Sequence, residues 1–123
     1  MIFSPDLCEL ILSGRKTVTR RPVKYVPDIR SKNRDAIPCR YLPGIDYAVQ
    51  PGRGKKSIGR VRIVSVRREN LMDVWKPYEC TWEGFKTPAA FWSRWATIYG
   101  DGFDHYQQVW RIEFELVPNQ GEK

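Results

Sequence analysis

A slip of phase constrains this sequence more than any other feature. From residue 58 to residue 68 polar and apolar residues alternate with period two, the mark of a half-buried strand. Val61 and Ile63 fall on one parity with Arg60 and Arg62 between them; Val64 and Val66 then take the other, with Ser65 and Arg67 between. Such a slip predicts a β-bulge or a strong bend, common where a sheet curls into a barrel. A second alternation, Trp110, Ile112, Phe114 and Leu116 against Arg111, Glu113 and Glu115, predicts another half-buried strand. In a chain of 123 residues these strands serve one core. The expectation is a single domain over residues 1–118 and a frayed tail at 119–123.

The remaining elements follow from local signals. Ser4-Pro5-Asp6 predicts a helix start, with a capping hydroxyl, proline at the first position and an acid in the first turn. Leu7, Leu10 and Ile11, with Ile2 or Phe3, supply its buried stripe, and Gly14 its left-handed stop. Thr17 to Arg21 reads as a strand ended by Pro22, and Tyr47 to Gln50 as another. A basic turn, Pro51-Gly52-Arg53-Gly54-Lys55-Lys56, closes the latter. It lacks the spacing of a phosphate-binding loop, and a strand follows where such a loop needs a helix. Asn70 to Trp75 forms a helical turn. Thr87-Pro88 opens a second helix whose apolar face holds Phe91, Trp95 and Ile98, flanked by Trp92 and Tyr99. Residues 23–44 carry Pro27, Pro38 and Pro43 and show little periodicity; such a stretch is usually functional or mobile, with its tip at residues 31–35. This order of elements predicts an α+β fold with a curved, largely antiparallel sheet.

Charge bears on partners. With 21 Lys and Arg against 14 Asp and Glu, the net charge of +7 attracts polyanions, most simply nucleic acid or nucleotides. Five Trp and six Tyr supply rings on which bases stack. No apolar run approaches the ~18 residues that span a bilayer, and the N-terminus lacks the pattern of a secretion signal. Three cysteines without a Cys-x-x-Cys pair argue against a disulfide framework, so a cytoplasmic protein without membrane contact is expected. Cys8, Cys39, Cys80 and the single histidine, His105, are not spaced as zinc ligands. No metal and no cofactor is expected.

The stretch Gly14-Arg15-Lys16-Thr17-Val18-Thr19-Arg20-Arg21 carries the chemistry. In an extended chain Thr17, Thr19 and Arg21 share one side, and Lys16, Val18 and Arg20 the other. It reads either as an exposed basic edge strand or as one wall of a cleft. A lysine whose pKa is depressed by burial or by neighbouring cations can activate a hydroxyl without histidine, and Arg15, Arg20 and Arg21 stand near Lys16 in sequence. Thr19 is three residues on. An acid is needed beside the pair, and both Glu79 and Glu83 lie in an irregular, aromatic-rich segment before the second helix.

The order of motifs resembles the ASCH domain family of the PUA-like superfamily. Gly14-x-Lys16-x-x-Thr19-x-Arg21, a long strand, Glu83-Gly84-Phe85, a Phe/Trp-rich helix and the closing Val109-Trp110-Arg111-Ile112-Glu113-Phe114 strand carry the resemblance, which spans nearly the whole chain and is nearest to small single-domain bacterial and phage members. It implies a PUA-like β-barrel with two flanking helices and an RNA or nucleoside-like ligand. The family pattern has glutamate where this chain has Thr19. Threonine there is similar to the bacterial N4-acetylcytidine amidohydrolases, in which it is the nucleophile, the lysine its activator and a downstream glutamate the third member. By position these roles fall on Thr19, Lys16 and Glu83, with Glu79 competing for the last. Segment 23–44 departs from those compact enzymes. The basic cleft itself is expected to hold its ligand through Arg15, Thr17, Arg20, Arg21, Arg53 and Lys55. A non-catalytic RNA-binding or protein-interaction module is the alternative.

Overall fold

The computed structural model describes residues 1–26 and 35–118; residues 31–34 of the expected loop tip, and the expected tail, lie outside the described residues. Helix α1 spans Pro5–Leu12. Ser4 precedes it in extended conformation, but its hydroxyl donates to Asp6 Oδ1 at 2.6 Å and caps no backbone N–H. The helix ends in a paired reversal. Gly14, at φ 78°, donates its N–H to Ile11 O at 3.1 Å, and Arg15 donates to Leu10 O at 2.9 Å, the two bonds of a Schellman motif. That reversal sends the chain into strand β1, Val18–Pro22.

Strands β2 (Asp46–Val49) and β3 (Gly59–Asn70) follow, then a 3-10 turn over Leu71–Trp75 whose Met72 N–H is capped by the Asn70 side chain. The segment expected to be irregular forms a one-turn helix, α2, over Glu79–Trp82. Helix α3 runs Pro88–Tyr99 with the Thr87 hydroxyl accepting from Ala90 N–H, and strand β4 covers Gln108–Leu116. The α+β reading holds, with three α-helices among the described residues instead of two.

The three pairs among these four strands are antiparallel, in the order β1-β4-β3-β2, and Ile2 adds a single parallel bridge to Gln50. The sheet is therefore open among the described residues, with β1 and β2 as its edges, and the expected closure into a barrel is not formed by these four strands. The phase slip in β3 is a bulge: Ile63 pairs with Phe114 and Ser65 with Glu113, leaving Val64 as the extra residue. Val64 points outward, 49% exposed, whereas the alternation placed it with Val66 on the inner face.

Two apolar clusters hold the layers together. Phe3, Leu7, Cys8 and Ile11 of the N-terminal segment and α1 pack on Val49, Val61, Ile63, Ile112 and Phe114 of the sheet. Leu71, Val74, Phe91, Trp95 and Val109 form the second, between α3, the 3-10 turn and β4. Fully burying one such side chain contributes roughly 1.5–3 kcal/mol. Ile98, expected in the buried stripe of α3, is instead 56% exposed. Strand β4 lies between β1 and β3 and is covered on both faces near its start, so Arg111, expected on a solvent face, is buried there.

Candidate functional site

The site grows from the seam between β1 and α2. Lys16 N–H bonds back to Leu10 O at 3.0 Å, and Thr17 N–H bonds to Trp82 O at 2.8 Å, which fastens the start of the basic strand to the end of the short helix. Glu83 follows α2 directly, and Gly84 then turns with φ 98°. A Cβ at Gly84 would lie 2.9 Å from Leu10 Cδ1 and 3.5 Å from Lys16 Cβ, so glycine permits both the backbone angle and the close approach.

Lys16 Nζ donates three bonds of 2.8 Å, to Val18 O, Glu83 O and Glu83 Oε1. The other Glu83 oxygen accepts from Arg20 Nη1 at 3.0 Å. Arg20 continues outward, with Nε donating to Glu69 Oε1 at 2.9 Å and Nη2 to Glu79 Oε2 at 2.8 Å. Glu79 accepts in turn from Arg111 Nε at 3.2 Å. Lys16, Glu83, Arg20, Glu79 and Arg111 thus form a buried chain of alternating charge. An isolated charge in such a place is prohibitive, whereas a paired and hydrogen-bonded one is tolerated.

Burial pushes the Lys16 amine below its ordinary range; the charge and hydrogen bond of Glu83 pull the other way, and Arg21 and Arg20 add to the lowering. For Glu79, burial acts to raise the carboxyl pKa, but the hydrogen bonds and charges of Arg20 and Arg111 outweigh it, so the net shift is downward.

Lys16, Thr19, Arg20, Arg21 and Glu83 line one cavity of about 710 Å³, together with the rings of Phe3, Phe85, Phe91, Trp95 and Tyr99. Thr19 and Arg20 are neighbours in β1 yet both reach it. The Thr19 hydroxyl makes no side-chain hydrogen bond among the described residues, and none joins it to Lys16. Trp95 Nε1 is the single buried side-chain polar atom without a partner among the described residues.

Four other expected site residues, Arg15, Thr17, Arg53 and Lys55, lie outside the cavity wall. Arg15 is exposed and Thr17 half-buried, and neither lines the cavity. Arg53 and Lys55 are exposed; their turn reaches the wall through Pro51 and Gly52 instead. Arg20 lines the cavity too, but its Nε, Nη1 and Nη2 each donate to a carboxylate, of Glu69, Glu83 and Glu79, which makes it chiefly a charge partner. Of the two competing acids, Glu83 is in the wall and Glu79 is not. His105 is exposed against the rings of Trp92 and Phe103, away from the cavity. The three cysteines are free thiols, and no group of three or more His, Cys, Asp or Glu among the described residues is arranged to hold a metal ion.

Sequence reasoning missed Arg94 and Trp95 as wall residues, and Arg111 and Glu69 as partners in the charge chain. Arg94 binds both Asp6 and Ser4, tying α3 to the start of α1. Trp95 carried a signal, the aromatic stripe of α3, but that stripe read as core alone.

The fold is similar to that of solved ASCH domain proteins. The ASCH protein of Zymomonas mobilis is 19% identical, with a TM-score of 0.58 over 98% of this chain and 66% of that one. An ASCH domain from Lactobacillus crispatus JV V101 is 20% identical, with a TM-score of 0.56 over 90% of this chain and 70% of that one. A protein of Enterococcus faecalis V583, of family model DUF984, is 22% identical, with a TM-score of 0.58 over 91% and 70%. The chain spans about two thirds of the length of these proteins. At such identities the likeness establishes the fold alone. No protein-family model matches the chain, and no curated protein matches it. Among the described residues no helix is long and apolar enough to cross a membrane.

Proposed function

We propose that this ASCH-fold protein binds a nucleoside unit, free or within single-stranded RNA, in the cavity at the β1–α2 seam. The observation that carries this reading is the make-up of the cavity wall: five aromatic rings stand beside Lys16, Arg21, Glu83 and Thr19. A nucleobase is a flat ring with donors and acceptors at its edge, so rings supply stacking and the polar groups supply orientation. The volume of about 710 Å³ falls within the range of small-molecule sites. Both Glu83 oxygens already accept from cations, but each keeps a further lone pair, and a carboxylate accepts well from the exocyclic amine of cytosine. Uridine offers an acceptor there and would meet repulsion. Calorimetric titration with cytidine and uridine tests the reading. Saturable cytidine binding and at least ~10-fold weaker uridine binding support it; absence of binding by both rejects it.

A second reading adds amide hydrolysis, and the hydroxyl of Thr19 in the same cavity as the buried Lys16 amine and Glu83 favours it. In this scheme Thr19 Oγ1 attacks the acyl carbon of N4-acetylcytidine and its proton passes to neutral Lys16. The C–N bond breaks and the leaving amine takes that proton, freeing cytidine. Water then cleaves the acyl-threonine ester to release acetate and restore the hydroxyl. Burial shifts the Lys16 amine toward the neutral form against the pull of Glu83, whose carboxylate holds it in place. Released cytidine, measured with wild type and Thr19→Ala, tests this step; unchanged turnover in the variant discards the nucleophile.

A further inference from the structure

A second, smaller cavity of about 400 Å³ adjoins the first, and the two share Arg21 and Tyr99 as a common wall. Their charges differ. The first balances its cations with Glu83, whereas the second is lined by Arg21, Lys24 and Arg40 with no carboxylate among the described residues. Tyr41, Tyr99 and Trp110 provide rings in the second, and the Arg40 guanidinium lies 5.3 Å from the centre of the Tyr41 ring. Arg21 is held at the boundary from one side, stacked 5.0 Å from the Phe3 ring centre and donating through Nη2 to Ile2 O at 3.0 Å. A fixed guanidinium between two aromatic hollows suits a group that is anionic and links two flat rings.

Resting on the nucleoside reading of the first cavity, we propose that the second cavity takes the neighbouring nucleotide, with the connecting phosphodiester against Arg21 and within reach of Lys24 and Arg40. The ligand is therefore a single-stranded oligonucleotide of at least two nucleotides, and a free nucleoside fills only half of the site. Lys24 and Arg40 are exposed side chains outside the buried charge chain, so replacing them leaves the first cavity and its packing in place.

The test compares cytidine with the dinucleotide of two cytidines joined by one phosphodiester, each titrated into wild type and into the Lys24→Ala/Arg40→Ala variant, with circular dichroism recorded on both proteins. Wild type is expected to bind the dinucleotide about tenfold or more tightly than cytidine. The variant is expected to lose most of that gain while binding cytidine as wild type does. Ribose and deoxyribose forms of the dinucleotide distinguish RNA from DNA as the source of the strand. Cytidine binding with no gain for either dinucleotide overturns the two-cavity proposal alone, as does a gain that survives intact in the folded variant. No binding of cytidine or dinucleotide overturns the reading of the first cavity and this proposal with it.

Discussion

Lys16 Nζ and Glu83 Oε1 lie 2.8 Å apart, with the two side chains only 2% and 3% exposed. Their sequence separation of 67 residues makes this pair the link between the basic strand and the segment after α2. Both residues also line the cavity.

Removing either partner should not be equivalent. Lys16→Met leaves Glu83 still paired with Arg20, whereas Glu83→Gln leaves Lys16 and Arg20 facing each other without their shared carboxylate. Breaking a buried pair typically destabilises by about 3–5 kcal/mol. Urea unfolding should place Glu83→Gln at the upper end of that range and Lys16→Met below it; the reverse order contradicts the charge chain as described.

Acid should loosen the molecule through Glu79. Its folded-state pKa lies below the ordinary value of 4.5, so its contribution is complete above that value and is lost as pH falls through the folded-state pKa. Denaturant midpoints measured against pH should therefore fall below pH 4.5, and in Glu79→Gln that fall should be shallower, from a lower starting stability.

Gly84→Ala tests the close approach of the chain after α2 to α1. The added methyl meets Leu10 Cδ1 at 2.9 Å in a backbone conformation that L residues avoid. A loss of about 1–3 kcal/mol is expected in thermal or urea unfolding, and cytidine affinity should fall with it, because Lys16 and Glu83 meet across this contact.

On the hydrolytic reading, turnover of N4-acetylcytidine requires the neutral amine of Lys16. The rate should rise with pH as Lys16 loses its proton, with a midpoint below the ordinary lysine value of 10.5. Thr19→Ala should lower the rate on the order of a hundredfold or more. A rate independent of pH across the alkaline range would remove Lys16 as the base.

Local signals in the sequence read through to the structure where the cause is itself local. Pro5 and Gly14 bound α1 because a proline start and a left-handed stop act within one turn, and the phase slip in β3 marks a bulge because side-chain parity is a property of the strand alone. The outward turn of Val64 was not legible, since which of two residues becomes the extra one depends on the partner strand. Arg20 and Arg111 were read as solvent or ligand groups, yet both are buried, because their shared partner Glu79 stands 59 and 32 residues away. The helix over Glu79–Trp82 is a single turn, too short to show a period. Basic Arg53 and Lys55 were read as cleft wall, but the pattern of a charged turn does not say which of its residues face inward. Of the candidate site, Lys16, Thr19, Arg20, Arg21 and Glu83 were named from the sequence, and the structure puts them around one cavity. The rings of Phe91 and Trp95 in its wall had read only as the apolar face of a core helix.

The most direct test of nucleoside binding in this cavity is a two-dimensional amide NMR titration of the protein with cytidine. The account predicts saturable shifts centred on Thr19, Arg21, Glu83, Phe85 and the indole N–H of Trp95. No saturable shifts, or shifts confined to surfaces such as Arg53, Lys55 and His105, would contradict it.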